Sequence, residues 1–188
     1  NGFQVMGNMK TIEDGQLVTL GKDVGCKVIH TPGHSRGSVS LLFAGEGALF
    51  TGDGVPVPND MPIYDDIAQY AASLRLLKQL EGAGILLQSW EAPVQGEAPI
   101  AQLIDAGIFW LRRIHEAAGK AVSSGEKDPM ELCRIVVSDL GLPPFAVNPI
   151  VAGSIASSLA VLDRESLFQG CGCFKSFISS PQQEKQPD

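Results

Sequence analysis

The chain has 188 residues, a formal net charge of −7 and a sequence pI near 4.9. That length suits one domain with a real core, and 44% hydrophobic with 19% charged residues is a globular rather than a disordered composition. No Lys/Arg cluster exceeds a pair, so a nucleic-acid partner is not expected, and no apolar run reaches the ~18 residues of a membrane span.

The segment from Asn1 to Lys10 has no clear period, and no leader peptide is in view. A start at Asn1 rather than Met is read as a missing native beginning, with the cytoplasm as the expected location. Glu13-Asp14-Gly15 is a turn signal. Four short strands are then expected, over Leu17–Leu20, Cys26–Thr31, Ser38–Phe43 and Ala48–Thr51. Pro32-Gly33 closes the second, and Gly45-Glu46-Gly47 turns the third into the fourth.

The second half changes character. Asp65 or Asp66 can cap a helix running through Leu80, because Ile67, Tyr70, Ala71, Leu74, Leu77 and Leu80 recur at helical steps. Ile85–Leu87 reads as a short buried strand and Gln88–Gly96 as a loop. A long helix is expected from Ala98 to Val122, with Ile100, Leu103, Ile104, Ile108, Leu111 and Ile114 on one stripe. Asp128-Pro129-Met130-Glu131 is a helix start that should run until just before Gly141. Asn148-Pro149 opens a last helix, expected to end near Phe168, and the polar tail from Gly170 is expected to be mobile. Strands followed by helices point to an α+β or layered α/β domain. Helices on one face of such a sheet leave the other face needing a partner.

Four cysteines are too few and too scattered for a disulfide framework. Cys26 and Cys133 sit among apolar residues and read as buried thiols. Cys171-Gly172-Cys173 reads either as a metal or redox pair or as two thiols opening the tail.

Two polar residues at strand ends are candidates for chemistry. Pro32 and Gly33 turn the chain sharply and present His34 from a loop, where a neutral imidazole can bind a divalent metal through one nitrogen while a neighbour fixes the other. Asp53 follows an apolar strand and is flanked by Gly52 and Gly54, which allow close approach of an ion or substrate. A Gly-Asp-Gly is more often a plain turn, and a lone loop histidine more often a surface residue. The pair, joined by two apolar strands, is the stronger signal.

The stretch TPGHSRGSVSLLF, with ALFTGD after it and DGQLVTLG before it, resembles the metallo-β-lactamase superfamily of metal-dependent hydrolases. The likeness covers Glu13 to about Pro93, with the first two stretches similar to the third and fourth metal-binding motifs of that family. It implies a layered αββα sandwich of which this chain is the C-terminal half, with additional C-terminal helices. Residues 11–122 would be the metallo-β-lactamase-like domain, 123–169 a helical extension and 170–188 a flexible tail. It further implies that His34 is a ligand of one metal and that Asp53 bridges two, zinc being the expected ion. Such a pair generates a hydroxide from water, which attacks an ester, thioester, lactone or amide of a small-molecule substrate.

Two departures follow. The first motif of the family, His-x-His-x-Asp-His, is absent, and the other histidines are His30, within a strand, and His115, on the long helix at the edge of the core. Where the family often carries a fifth-motif histidine, this chain has Gln88-Ser89-Trp90-Glu91. Glu91 could replace the imidazole, which would favour iron or manganese, and Trp90 could line the pocket. The plain alternative is a loop with Trp90 packed on the sheet.

Two functions are therefore carried forward. One is a metal-dependent hydrolase whose site is incomplete in this chain, so that the chain alone binds zinc weakly and is inactive. The other is a non-catalytic binding or assembly module of the same fold. The C-terminal helices supply a pocket wall, a homodimer face or simply core. A nuclease is disfavoured by the acidic balance, and an iron-dependent oxidoreductase lacks a flavin module here.

Overall fold

In the computed structural model the chain is described over residues 10–161 and 167–168. Six strands form one sheet in the order of the sequence: β1 (Leu17–Thr19), β2 (Gly25–His30), β3 (Val39–Phe43), β4 (Ala48–Gly52), β5 (Ile85–Gln88) and β6 (Val94–Gln95). Neighbours are antiparallel except β4 and β5, which run parallel because helix α1 (Ile67–Lys78) crosses between them. The segment expected to be a plain loop after Gln88 thus contains a strand. β6 pairs with β5 through Leu86↔Val94 and Ile85↔Gln95, since Pro93 and Gly96 bracket just enough extended chain to turn back along the sheet.

The sheet has two unlike faces. Leu42, Leu49, Leu86 and Val94 stand opposite one another across four strands and pack against the helices. Leu49 and Leu86 are fully buried, each side chain stabilising the fold by about 1.5–3 kcal/mol. On the other face, Val28, Leu41, Phe50 and Leu87 form a second apolar row. That row is only partly covered, and Phe50 is 40% exposed.

Three helices follow β6. α2 (Glu97–Ser123) is the spine of the molecule. Its first half, with Ile100, Ile104 and Ile108, packs on the sheet and α1. Its second half, with Trp110, Ile114 and Ala118, joins a separate core with α3 (Pro129–Asp139) and α4 (Pro149–Leu159). The starts of α1, α3 and α4 are as expected from the sequence, because each has a side-chain cap. Asp66 accepts from the Gln69 amide at 2.9 Å, Asp128 from the Glu131 amide at 2.8 Å, and Asn148 from the Ile150 and Val151 amides at 3.0 Å.

Several expectations are corrected. A 3₁₀ turn over Pro144–Ala146 precedes α4. α4 closes at Leu159 rather than near Phe168, and Val161, Leu167 and Phe168 pack on the sheet core beyond it. His115 is 2% exposed, not at the core's edge, with its ring 5.7 Å from that of Phe168. Cys26 and Cys133 are buried free thiols, whereas Cys171, Cys173 and the tail lie outside the described residues.

Candidate metal centre

His34 and Asp53 come together at the ends of two non-neighbouring strands. The loop between β2 and β3 is closed at its base by the Thr31 amide donating to Ser38 O at 3.0 Å, and by the Thr31 and Ser40 hydroxyls at 3.0 Å. His30 serves that loop rather than the site. Its Nε2 lies 3.0 Å from Arg36 O, and since a carbonyl only accepts, that nitrogen carries the proton.

Gly33 is where the loop meets α1. Its φ of +131° is a glycine conformation, and a Cβ there would lie 2.3 Å from the Tyr70 backbone. The Asp65 and Asp66 amides donate to Gly33 O at 2.8 and 3.1 Å, and Ser73 Oγ donates to Pro32 O at 2.7 Å. The start of α1 is therefore docked directly on the residue before His34.

The imidazole of His34 is oriented from both sides. Nδ1 lies 2.7 Å from Ile63 O, which can only accept, so Nδ1 bears a proton, and in the neutral ring the lone pair is on Nε2. Nε2 faces Asp53 Oδ2 at 3.7 Å. Asp53 is held from behind, with the Tyr70 hydroxyl donating to its backbone carbonyl at 2.9 Å. Burial first, and then the charge of Asp53, push the Tyr70 phenol well above its usual pKa, so it stays a donor.

The two side chains open onto a cleft of about 180 Å³. Its other walls are Val55, Pro56, Val57, Asp60, Met61, Pro62, Ile63, Tyr70 and Trp90. Trp90 is 81% exposed, so it is a cleft wall and not a residue packed on the sheet. Glu91 is exposed and does not line the cleft. A larger hollow of about 260 Å³ between the end of α1 and the start of α2 contains none of the candidate residues.

The donor set fits one edge of a metal site. Two ligands on a tetrahedral zinc, with bonds of about 2.0–2.1 Å, stand roughly 3.3–3.4 Å apart, close to the 3.7 Å between Nε2 and Oδ2. A neutral imidazole and a carboxylate are also the right donor types. Among the described residues, however, no group of three or more His, Cys, Asp or Glu side chains is placed to hold an ion.

Sequence reasoning missed Ile63 O, Tyr70 and Asp60. A backbone carbonyl leaves no mark in a sequence, and Tyr70 read as one more member of the α1 stripe. Asp60 sits in a loop rich in Pro and Asp, where nothing distinguishes a wall residue from a turn residue.

Comparison with known proteins bears on the fold rather than on the individual site residues. Residues 4–89 match the family described as Metallo-beta-lactamase superfamily. The metallo-beta-lactamase family protein TTHA1429 from Thermus thermophilus superposes over 81% of this chain with a TM-score of 0.61 at 21% identity. The family match spans 86 of the 188 residues, and at 21% identity the structural likeness is one of fold. This chain covers 47% of that solved metallo-beta-lactamase chain. Among curated proteins, it is 37% identical over 71 residues to "Lactamase-like protein nscB" of Aspergillus fumigatus, a match of 38% of this chain and 21% of that one. It is 33% identical over 79 residues to "Acyl-coenzyme A thioesterase MBLAC2" of Gallus gallus, a match of 41% of this chain and 28% of that one. Among the described residues, no helix is long and apolar enough to cross a membrane.

Proposed function

We propose that this chain is the C-terminal half of a metal-dependent hydrolase, with residues 123–169 as a helical extension. The observation that carries the reading is the pairing of His34 Nε2 with Asp53 Oδ2 at 3.7 Å, with Nδ1 of the same ring tied to Ile63 O. The half-covered apolar row of Val28, Leu41, Phe50 and Leu87 supports it, since the missing half of a sandwich would pack there.

In this reading His34 would hold one ion, Asp53 would contribute to two, and the remaining ligands would come from outside the described residues, Glu91 apart. A bound divalent ion, zinc in the first place and iron or manganese if Glu91 takes part, supplies water activation and carbonyl polarisation. The residues of the chain do the rest. Ile63 O keeps the imidazole proton on Nδ1. Tyr70 fixes the backbone of Asp53. Val55, Pro56, Met61, Ile63 and Trp90 offer an apolar wall for the acyl part of an ester, thioester, lactone or amide. The thioesterase name of the Gallus gallus relative favours a thioester among these.

The second reading is a non-catalytic binding or assembly module. It is favoured by the two-donor site among the described residues. A homodimer face on the C-terminal helices belongs to either reading, supported by Phe145 at 80% and Ile150 at 62% exposure.

The test is the coding sequence upstream of Asn1 together with metal analysis of the full-length product. A His-x-His-x-Asp-His motif with zinc that is lost on His34→Ala supports the hydrolase. No such motif and a metal-free protein support the module. Glu91→Ala with unchanged metal content removes Glu91 as a ligand.

A further inference from the structure

We infer that helix α4 is a positioning element for His34, acting through the peptide unit that joins Ile63 to Tyr64. The inference rests on the reading of His34 as a metal ligand, but its geometry is independent of any ion. Ser154 Oγ accepts from the Tyr64 amide at 2.9 Å, although the two residues are 90 apart in sequence. The carbonyl on the other side of that peptide, Ile63 O, accepts from His34 Nδ1 at 2.7 Å. A peptide is planar, so its N–H and C=O point in opposite directions along one rigid unit. Fixing the N–H end on Ser154 therefore fixes the direction of the C=O that holds the imidazole.

The anchor is dry, and doubled. Ser154 is 1% exposed, Tyr64 2% and Ser158 0%, and the Tyr64 and Ser158 hydroxyls lie 2.7 Å apart. Removing the acceptor would leave a buried amide without a partner, which is costly enough that the peptide would reorient toward another one. The Ile63 side chain, 43% exposed, cannot hold the peptide by packing. Hydrogen bonds in such a chain also polarise one another, so an amide donating to Ser154 makes Ile63 O a better acceptor for Nδ1–H. The consequence is one tautomer of His34, with the Nε2 lone pair kept toward Asp53.

α4 offers its own control. Ser157 Oγ accepts from the Ile67 amide at 3.1 Å, at the first residue of α1, and touches neither end of the 63–64 peptide. Loss of Ser157 should weaken the docking of α1 without releasing either end of the 63–64 peptide that orients the His34 ring.

The experiment is ¹⁵N NMR of the histidine rings in the metal-free 188-residue chain at a pH where imidazole is neutral, with His34 assigned by His34→Ala. The wild type is expected to show Nδ1 protonated. Ser154→Ala is expected to shift the tautomer ratio by roughly three- to tenfold toward Nε2–H, the size one hydrogen bond commands. Ser154→Thr should restore it, and Ser157→Ala should leave it unchanged. Should Ser154→Ala fail to fold, Ser154→Cys, a poor acceptor of similar volume, carries the same expectation. An unchanged tautomer in the folded Ser154 variants, or an equal shift in Ser157→Ala, overturns the inference. A shift in a chain that takes up no zinc upholds the inference and counts against the metal reading alone.

Discussion

The imidazole of His34 and the carboxylate of Asp53 face each other across 3.7 Å, one from the loop after β2 and the other just past β4. The gap is too long for a hydrogen bond and close to the spacing of two donors on one ion. Both side chains are part exposed, at 28% and 39%, so an ion or solvent can reach them. Ile63 O holds the His34 ring, and the Tyr70 hydroxyl holds the Asp53 backbone carbonyl.

Gly33→Ala should be among the most damaging single changes. The new methyl would lie 2.3 Å from backbone atoms of Tyr70, at a φ of +131° that alanine avoids. Overpacking and strain together should cost at least about 3 kcal/mol in urea denaturation. Gly37→Ala, in the same loop with nothing within 4 Å, should fall within about 0.5 kcal/mol of the wild type.

Asp66→Ala removes the cap of α1 and should cost about 1 kcal/mol at neutral pH. Burial alone would raise the Asp66 carboxyl, but hydrogen bonds from Gln69 and the Ala68 amide outweigh it and hold the group below its usual range. A depressed carboxyl stabilises the fold fully above its unfolded pKa of about 3.9, and this contribution is lost as pH falls through the lower folded value. Denaturation of wild type and variant should therefore converge in strong acid and stay apart above about pH 5.

Much of this fold was legible in the sequence because its signals are local. Asp66, Asp128 and Asn148 cap helices within three residues of themselves, and Pro32-Gly33 ends β2 where two rigid backbone preferences meet. The 3.6-residue stripe of α2 also showed, although not that its two ends serve different cores. What stayed hidden depends on contacts between distant segments. β6 is two residues long and exists only because β5 lies beside it. The seat of His34 on Ile63 O joins residues 29 apart in sequence, and that of Tyr64 on Ser154 residues 90 apart. The motif around Asp53 was readable as chemistry, but not which loop would wall it.

Trp90→Phe should change stability by less than about 0.5 kcal/mol, because the indole is 81% exposed. It should remove nearly all fluorescence that acrylamide quenches in solution. The remaining tryptophan, Trp110, is 2% exposed and donates to Asp60 O at 2.6 Å, so its emission should be blue-shifted and protected. Easily quenched emission in the variant would contradict this.

Gln88→Leu should stabilise the chain. Both amide atoms of Gln88 are buried and, among the described residues, without a hydrogen-bond partner, at the end of β5 opposite Gly52. Replacing an unsatisfied buried amide by an apolar side chain of similar size should gain about 1–2 kcal/mol in thermal or urea unfolding. A loss of stability would show that the amide has a partner in solution.

The most direct test of the central claim is a zinc titration of the 188-residue chain beside His34→Ala and Asp53→Ala, read by metal analysis after dialysis with and without chelator. The account predicts weak, chelator-labile zinc in the wild type, at least about tenfold weaker binding in each variant as an interacting donor is lost, and no hydrolytic turnover. Zinc binding that is the same in all three proteins, or chelator-resistant zinc with hydrolase activity in this chain, would contradict it.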